Sequence, residues 1–134
     1  MKNDSKDKRK EDLGYHILLD VHGCKKNLKI EPITAADEDP EQISILETVI
    51  TEKGLTVLDV GLHRFDNGAW TAFFMLEESH VSVHTWPDEK TVHCDIFVCN
   101  YTRNNSSAAR AISTFLQEFF ECTEFESRAI NREG

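Results

Sequence analysis

Between Leu55 and Cys99 four strand-like runs, at about 55–65, 70–77, 79–84 and 91–99, follow one another with links too short to hold a helix. Asn67-Gly68 between the first two is a strong hairpin signal. Pro87-Asp88-Glu89-Lys90 reads as a turn between the last two. Strands joined this closely pair antiparallel, because a parallel pair needs a crossover of a dozen or more residues. A further strand is expected at about Tyr15 to His22, with Tyr15, Ile17, Leu19 and Val21 on one face and Gly23-Cys24 closing it. A last short one is expected at about Thr123 to Ile130.

Two segments carry helical spacing instead. Ile43, Leu46, Val49 and Ile50 mark a helix over Glu41 to Lys53, with Gly54 just past its end where a C′ glycine belongs. Ala109, Ile112, Leu116, Phe119 and Phe120 form the stripe of a second helix over Ser106 to Glu121, for which Asn105 or Ser106 can cap the start. The expected fold is therefore α+β: a two-layer sandwich, an antiparallel sheet with two main helices packed on one face. The chain of 134 residues fits one domain, over 13–134. Residues 1–12 alternate basic and acidic side chains and read as a disordered charged tail. Residues 29–41, with Pro32, Pro40 and the acids Asp37, Glu38, Asp39 and Glu41, read as an exposed loop.

Charge and cysteine usage narrow the function classes. Fifteen Lys and Arg stand against 24 Asp and Glu, a formal charge of −9. This argues against nucleic acid as a partner, since phosphate backbones are held by clustered positive charge. A negative potential weakly favours cationic small molecules, although most acidic proteins are simply well solvated. No apolar run approaches the ~20 residues of a membrane helix, and no signal-peptide core is visible, so a soluble, cytoplasmic protein with no membrane partner is expected. Cys24, Cys94, Cys99 and Cys122 form no CxxC pair, and reduced thiols are the default.

Strand parity separates two faces. His80, Ser82 and His84 alternate with Val81 and Val83; His93, Asp95, Phe97 and Cys99 alternate with Val92, Cys94, Ile96 and Val98. One face is plain core, and the other carries imidazole, carboxylate and thiol, as either a reactive surface or a solvated one. A zinc site on His80 and His84 is disfavoured. Four residues of strand span about 13 Å, too far for both rings to reach one ion.

The stretch Glu78-Ser79-His80-Val81-Ser82-Val83-His84-Thr85-Trp86-Pro87 also has chemistry of its own. The Ser79 hydroxyl can attack the Glu78 carbonyl and exchange the peptide bond for an ester. A base that then removes the serine α-proton breaks the chain and leaves a carbonyl-bearing N-terminus. From Gly14 to Glu133 the chain resembles the small prokaryotic S-adenosylmethionine decarboxylases: ESHVSVHTWP at 78–87 beside that family's ESHxxxHTWPE, and DIFVC at 95–99 beside DVFTC. GYHILLDVHGC at 14–24, LHRF at 62–65 and RAINR at 128–132 add support in the same order.

The resemblance implies roles residue by residue. Cleavage would fall between Glu78 and Ser79, giving a β chain of 1–78 and an α chain of 79–134 that begins with a pyruvoyl group made from Ser79. That covalent pyruvoyl cofactor would form a Schiff base with substrate, and no metal is expected. His84 matches the processing base, a task suited to an imidazole. Thr71 matches a processing hydroxyl able to hydrogen-bond the oxyanion formed on Ser79 attack. Cys99 matches the proton donor, or else is an ordinary buried thiol. For substrate, Phe65 matches an adenine-stacking position with Trp86 nearby, although either aromatic could be core. Asp88 stands where the family usually has glutamate against the ribose. Glu78 would put a carboxylate near the sulfonium. The implied partner is S-adenosylmethionine, decarboxylated to the aminopropyl donor for spermidine, in a homodimer of processed protomers with sites near the subunit interface.

Departures from the pattern leave the substrate open. Val98 replaces Thr, Asn100 replaces Gly after Cys99, and Glu77 replaces a small apolar residue. The alternatives are a pyruvoyl-dependent decarboxylase of arginine or ornithine, or an uncleaved, non-catalytic homologue.

Overall fold

The strands expected from alternation all form, and hydrogen bonding joins them into one antiparallel sheet. A computed structural model describes residues 13–31 and 40–134. The expectations for the tail at 1–12 and for most of the loop, residues 32–39, lie outside the described residues. The element order is β1 (Gly14–His22), α1 (Glu41–Glu52), β2 (Val57–Arg64), β3 (Trp70–Leu76), β4 (Ser79–Trp86), β5 (Thr91–Cys99), α2 (Ser106–Phe119) and β6 (Glu124–Arg132). The six strands lie in the order β2-β3-β4-β5-β1-β6, and every adjacent pair is antiparallel.

Both helices contribute to a single core. Ile43, Leu46 and Ile50 of α1, and Ala109, Ile112 and Leu116 of α2, join Ile17, Leu19, Val21, Phe74, Val81, Val83, Val92, Ile96 and Val98 from the sheet. Removing this apolar surface from water is what holds the two layers together. Helix α1 ends as its sequence signalled. Gly54 at φ +97° lets its own N–H reach the Thr51 carbonyl and lets the Leu55 N–H reach that of Ile50.

Several boundaries differ from expectation. β4 runs on to Trp86, and the expected turn is a short 3-10 turn over Pro87–Glu89 closed by Lys90 at φ +52°. β6 is nine residues long and reaches Arg132, because its length is set by pairing along the whole of β1 rather than by its own apolar pattern. All nine of its residues are exposed, and its charged side chains suit an edge strand. Finally, β3 stops at Leu76, one residue short of expectation, so that Glu77 and Glu78 join it to β4 and Leu76 pairs with Ser79. The motif serine is therefore the first residue after a tight turn.

With the helices on one side, the other face of the sheet is left open. The registers place all six histidines on it: His63 beside Thr71, His84 between Thr71 and His93, His80 and His16 on either side of Phe97, and His22 beside Thr91.

Candidate active site

β4 carries the motif residues at two separate ends. At its start, Ser79 adopts φ +139°, a region that side-chain-bearing residues rarely occupy and that costs of order 1–3 kcal/mol. Immediately before it, the Glu78 carbonyl oxygen accepts a hydrogen bond of 2.7 Å from the Cys99 N–H. The carbonyl that Ser79 would attack is thus already polarised by a fixed backbone donor. The Glu78 side chain is engaged as well. Its carboxylate accepts from the Thr56 N–H at 2.9 Å and lies 3.9 Å from the Arg103 guanidinium, which donates to the Gly54 carbonyl at 2.6 Å.

Cys99 closes this corner. Its Sγ accepts from the Tyr101 N–H at 3.4 Å, and its carbonyl accepts from the Asn105 side-chain amide at 2.8 Å. The cysteines divide by environment. Burial, helped by Cys122, pushes the Cys24 thiol up to about 11, and burial also pushes Cys94 well above the ordinary thiol range. Both behave as small core side chains, whereas Cys99 is half-buried on the open face beside the motif turn.

The far end of β4 opens into a cavity of about 590 Å³, lined among others by Phe65, Thr71, His84, Trp86 and Asp88. The Thr71 hydroxyl and His84 Nδ1 lie 3.1 Å apart across β3 and β4. Phe65 and Trp86 are both about half exposed at the cavity wall. Each leans on a histidine: His63 meets the Phe65 ring edge-on at 4.6 Å, and His93 Nδ1 accepts from the Trp86 indole N–H at 3.1 Å. Between the two ends, His80 sits between the rings of Phe73 and Phe97. Burial lowers its pKa below the ordinary imidazole value, with Asp95 opposing the shift and His16 adding to it.

The residues singled out from the sequence thus form two groups. Phe65, Thr71, His84, Trp86 and Asp88 converge at the cavity; Glu78, Ser79 and Cys99 converge at the turn. Within one chain the groups do not meet, since the five residue steps from Ser79 to His84 span about 16 Å of strand. Sequence reasoning missed the Cys99 N–H and Arg103, and it gave no role at the site to Asn105, His63 or His93. A backbone donor leaves no trace in side-chain identity, and Asn100 beside Cys99 was the one signal that this corner is built unusually.

A family model described as S-adenosylmethionine decarboxylase matches residues 15–133, and the chain belongs to that family. The S-adenosylmethionine decarboxylase proenzyme of Archaeoglobus fulgidus is 34% identical over 107 residues, 80% of this chain and 87% of the relative. That of Methanococcus vannielii is 34% identical over 87 residues, 65% of this chain and 66% of its own length, just under two thirds. The proenzyme of a Hydrogenobaculum species is 32% identical over 100 residues, 75% of this chain and 67% of the relative. Among solved structures, the adenosylmethionine decarboxylase of Aquifex aeolicus superposes with a TM-score of 0.75 over 92% of this chain and 93% of that one. At 22% identity it is a likeness of fold. Among the described residues no helix is long and apolar enough to cross a membrane.

Proposed function

We propose that this chain cleaves itself between Glu78 and Ser79 and then decarboxylates S-adenosylmethionine, in the cytoplasm, to the aminopropyl donor used for spermidine. The observation that carries this reading is the strained Ser79 backbone next to a Glu78 carbonyl held by the Cys99 N–H. Attack by Ser79 Oγ forms the C–O bond and breaks the C–N bond, which exchanges the amide for an ester and relieves the strained linkage. The negative charge that develops on the Glu78 oxygen meets a donor already in place. Removal of the Ser79 α-proton by an imidazole then expels the Glu78 carboxylate, and hydrolysis with loss of ammonia leaves the carbonyl. A serine at a sharp turn, with a thiol and a fixed amide beside it, fits a pyruvoyl group at this position. When present, that group supplies an electron sink for loss of carbon dioxide.

The chain's own residues do the rest. Phe65 and Trp86 bracket the adenine, Asp88 accepts from the ribose hydroxyls, and the Cys99 thiol returns a proton to the substrate carbon. Glu78 presents its carboxylate near the sulfonium, and the acidic charge of the chain favours a cationic substrate. The separation of the two groups along β4 supports a site completed by a second subunit. A homodimer packed through the open faces about a two-fold axis puts the turn of one protomer against the cavity of its partner, so that His84 and Thr71 act in trans. Exposed Phe73 and Met75 in the middle of that face supply apolar contact.

The test is intact mass under denaturing conditions, followed by carbon dioxide release from S-adenosylmethionine, arginine and ornithine. Two chains split at Glu78/Ser79 and turnover of the first substrate alone support the reading; turnover of arginine or ornithine instead overturns the substrate. Phe65→Ala is expected to raise the KM for S-adenosylmethionine roughly 10- to 100-fold with a smaller change in kcat, the scale of one lost base–aromatic stack. An unchanged KM in that variant removes Phe65 from the substrate site.

A further inference from the structure

Helix α2 begins in a way that its sequence does not call for. Asn105 occupies the N-cap position, where an asparagine oxygen normally accepts from the first turn of the helix. Here its side chain makes no such bond. Asn105 is 4% exposed, and its amide is turned back to donate to the Cys99 carbonyl at 2.8 Å. The N–H of the first helical residue, Ser106, is met instead from one residue further back, where Asn104 Oδ1 accepts from it at 2.8 Å in an Asx turn. Asn100 then locks the arrangement: its Oδ1 accepts from the Asn105 N–H at 2.7 Å, its Nδ2 donates to Ser106 Oγ at 2.8 Å, and its own N–H donates to the Leu13 carbonyl. A good capping residue diverted from its cap, with a substituted Asn100 supporting it, is a local rule broken in favour of something else.

That something is the end of β5. Cys99 is the last residue of the strand, and its N–H is the donor on the Glu78 carbonyl. Strand ends fray unless tied, and a donor at a frayed end cannot stay aimed at one oxygen. We infer that Asn105 is a positioning residue for self-cleavage: by clamping the Cys99 carbonyl it holds the Cys99 N–H on the scissile Glu78 carbonyl, and it acts at the amide-to-ester step. The inference rests on the self-cleavage proposed above. It adds to that reading a residue which touches neither the scissile bond nor the cavity.

The variant N105D tests it. Aspartate keeps the size of the side chain, and because a buried carboxylate against a carbonyl also costs stability, cleavage is read below the variant's own measured melt, where the chain is folded. At neutral pH its carboxylate cannot donate and faces the Cys99 carbonyl, and cleavage should slow roughly tenfold or more, as for a lost buried hydrogen bond. On acidification the buried carboxyl takes up a proton and can donate again. Among the described residues, the charged groups near this corner include Glu78 and Arg103, 3.9 Å apart, and Arg132 of β6, whose Gly14 partner also pairs with Cys99 and whose guanidinium lies over the Phe97 ring. The N105D rate, taken relative to wild type, should therefore rise toward one as the pH falls to about 5.5, while N105A stays slow at every pH.

Hydroxylamine, which cleaves esters and spares amides, locates the blocked step. The uncleaved chain of N105D should resist it, whereas an ester held up in His84→Ala should be cut to two chains. Normal cleavage of N105D at neutral pH, a hydroxylamine-sensitive uncleaved chain, or a rate ratio flat with pH each overturns the role of Asn105. A wild-type chain that stays whole overturns the underlying self-cleavage instead, and the two failures are distinct.

Discussion

Ser79→Ala is expected to remain one chain of full mass and to release no detectable carbon dioxide from S-adenosylmethionine. The cause is chemical: alanine has no oxygen to attack the Glu78 carbonyl, so neither the ester nor the new N-terminus can form. Stability should change little. Alanine meets the same steric restriction at φ +139° that serine does, and the side chain at this position is no part of the buried core. A melt within a few degrees of wild type would separate this chemical loss from a folding defect. Wild-type protein under the same denaturing conditions should give two masses, 1–78 and 79–134, the smaller with no free amine at its start. A second outcome would remove Ser79 from its role: an alanine variant that still splits at the same bond. Ser79→Gly makes the complementary point. Glycine occupies positive φ freely, so this variant should be the more stable one while being equally uncleaved.

Much of this architecture is written locally. The alternation of Val81 and Val83 with His80, Ser82 and His84 assigned faces correctly, because a buried sheet face leaves no other register open. Gly54 ended α1 for the reason its position suggested. What the chain does not write locally is the relation between elements. β6 looked short because only part of it is apolar, yet β1 extends it to Arg132. Asn105 looked like a cap, and only the fold brings the end of β5 close enough to draw its amide away. The site itself is the sharpest instance. The strand rise that separates His80 from His84 also separates Ser79 from His84, although the motif prints all of them as neighbours. Proximity in the sequence here means distance in space.

That distance leads to the second large expected effect. Ser79→Ala and His84→Ala should each fail alone, the first for want of a nucleophile and the second for want of a base. Co-expressed from one cell, they should recover cleavage. In a mixed dimer, the intact Ser79 of the His84→Ala chain faces the intact His84 of the Ser79→Ala chain, and Thr71 is present with it. One site of the two is then complete. Random pairing makes half of the dimers mixed, so about a quarter of wild-type sites should appear, with turnover to match. The decisive readout is mass. The cleaved α fragment must carry the His84→Ala substitution, while every Ser79→Ala chain stays whole. An arrangement in which His84 serves its own chain allows no cleavage in any mixture, because no single chain then holds both groups. A recovered fragment of the right mass would therefore fix the two-fold assembly and the trans base together, from a difference of one side chain.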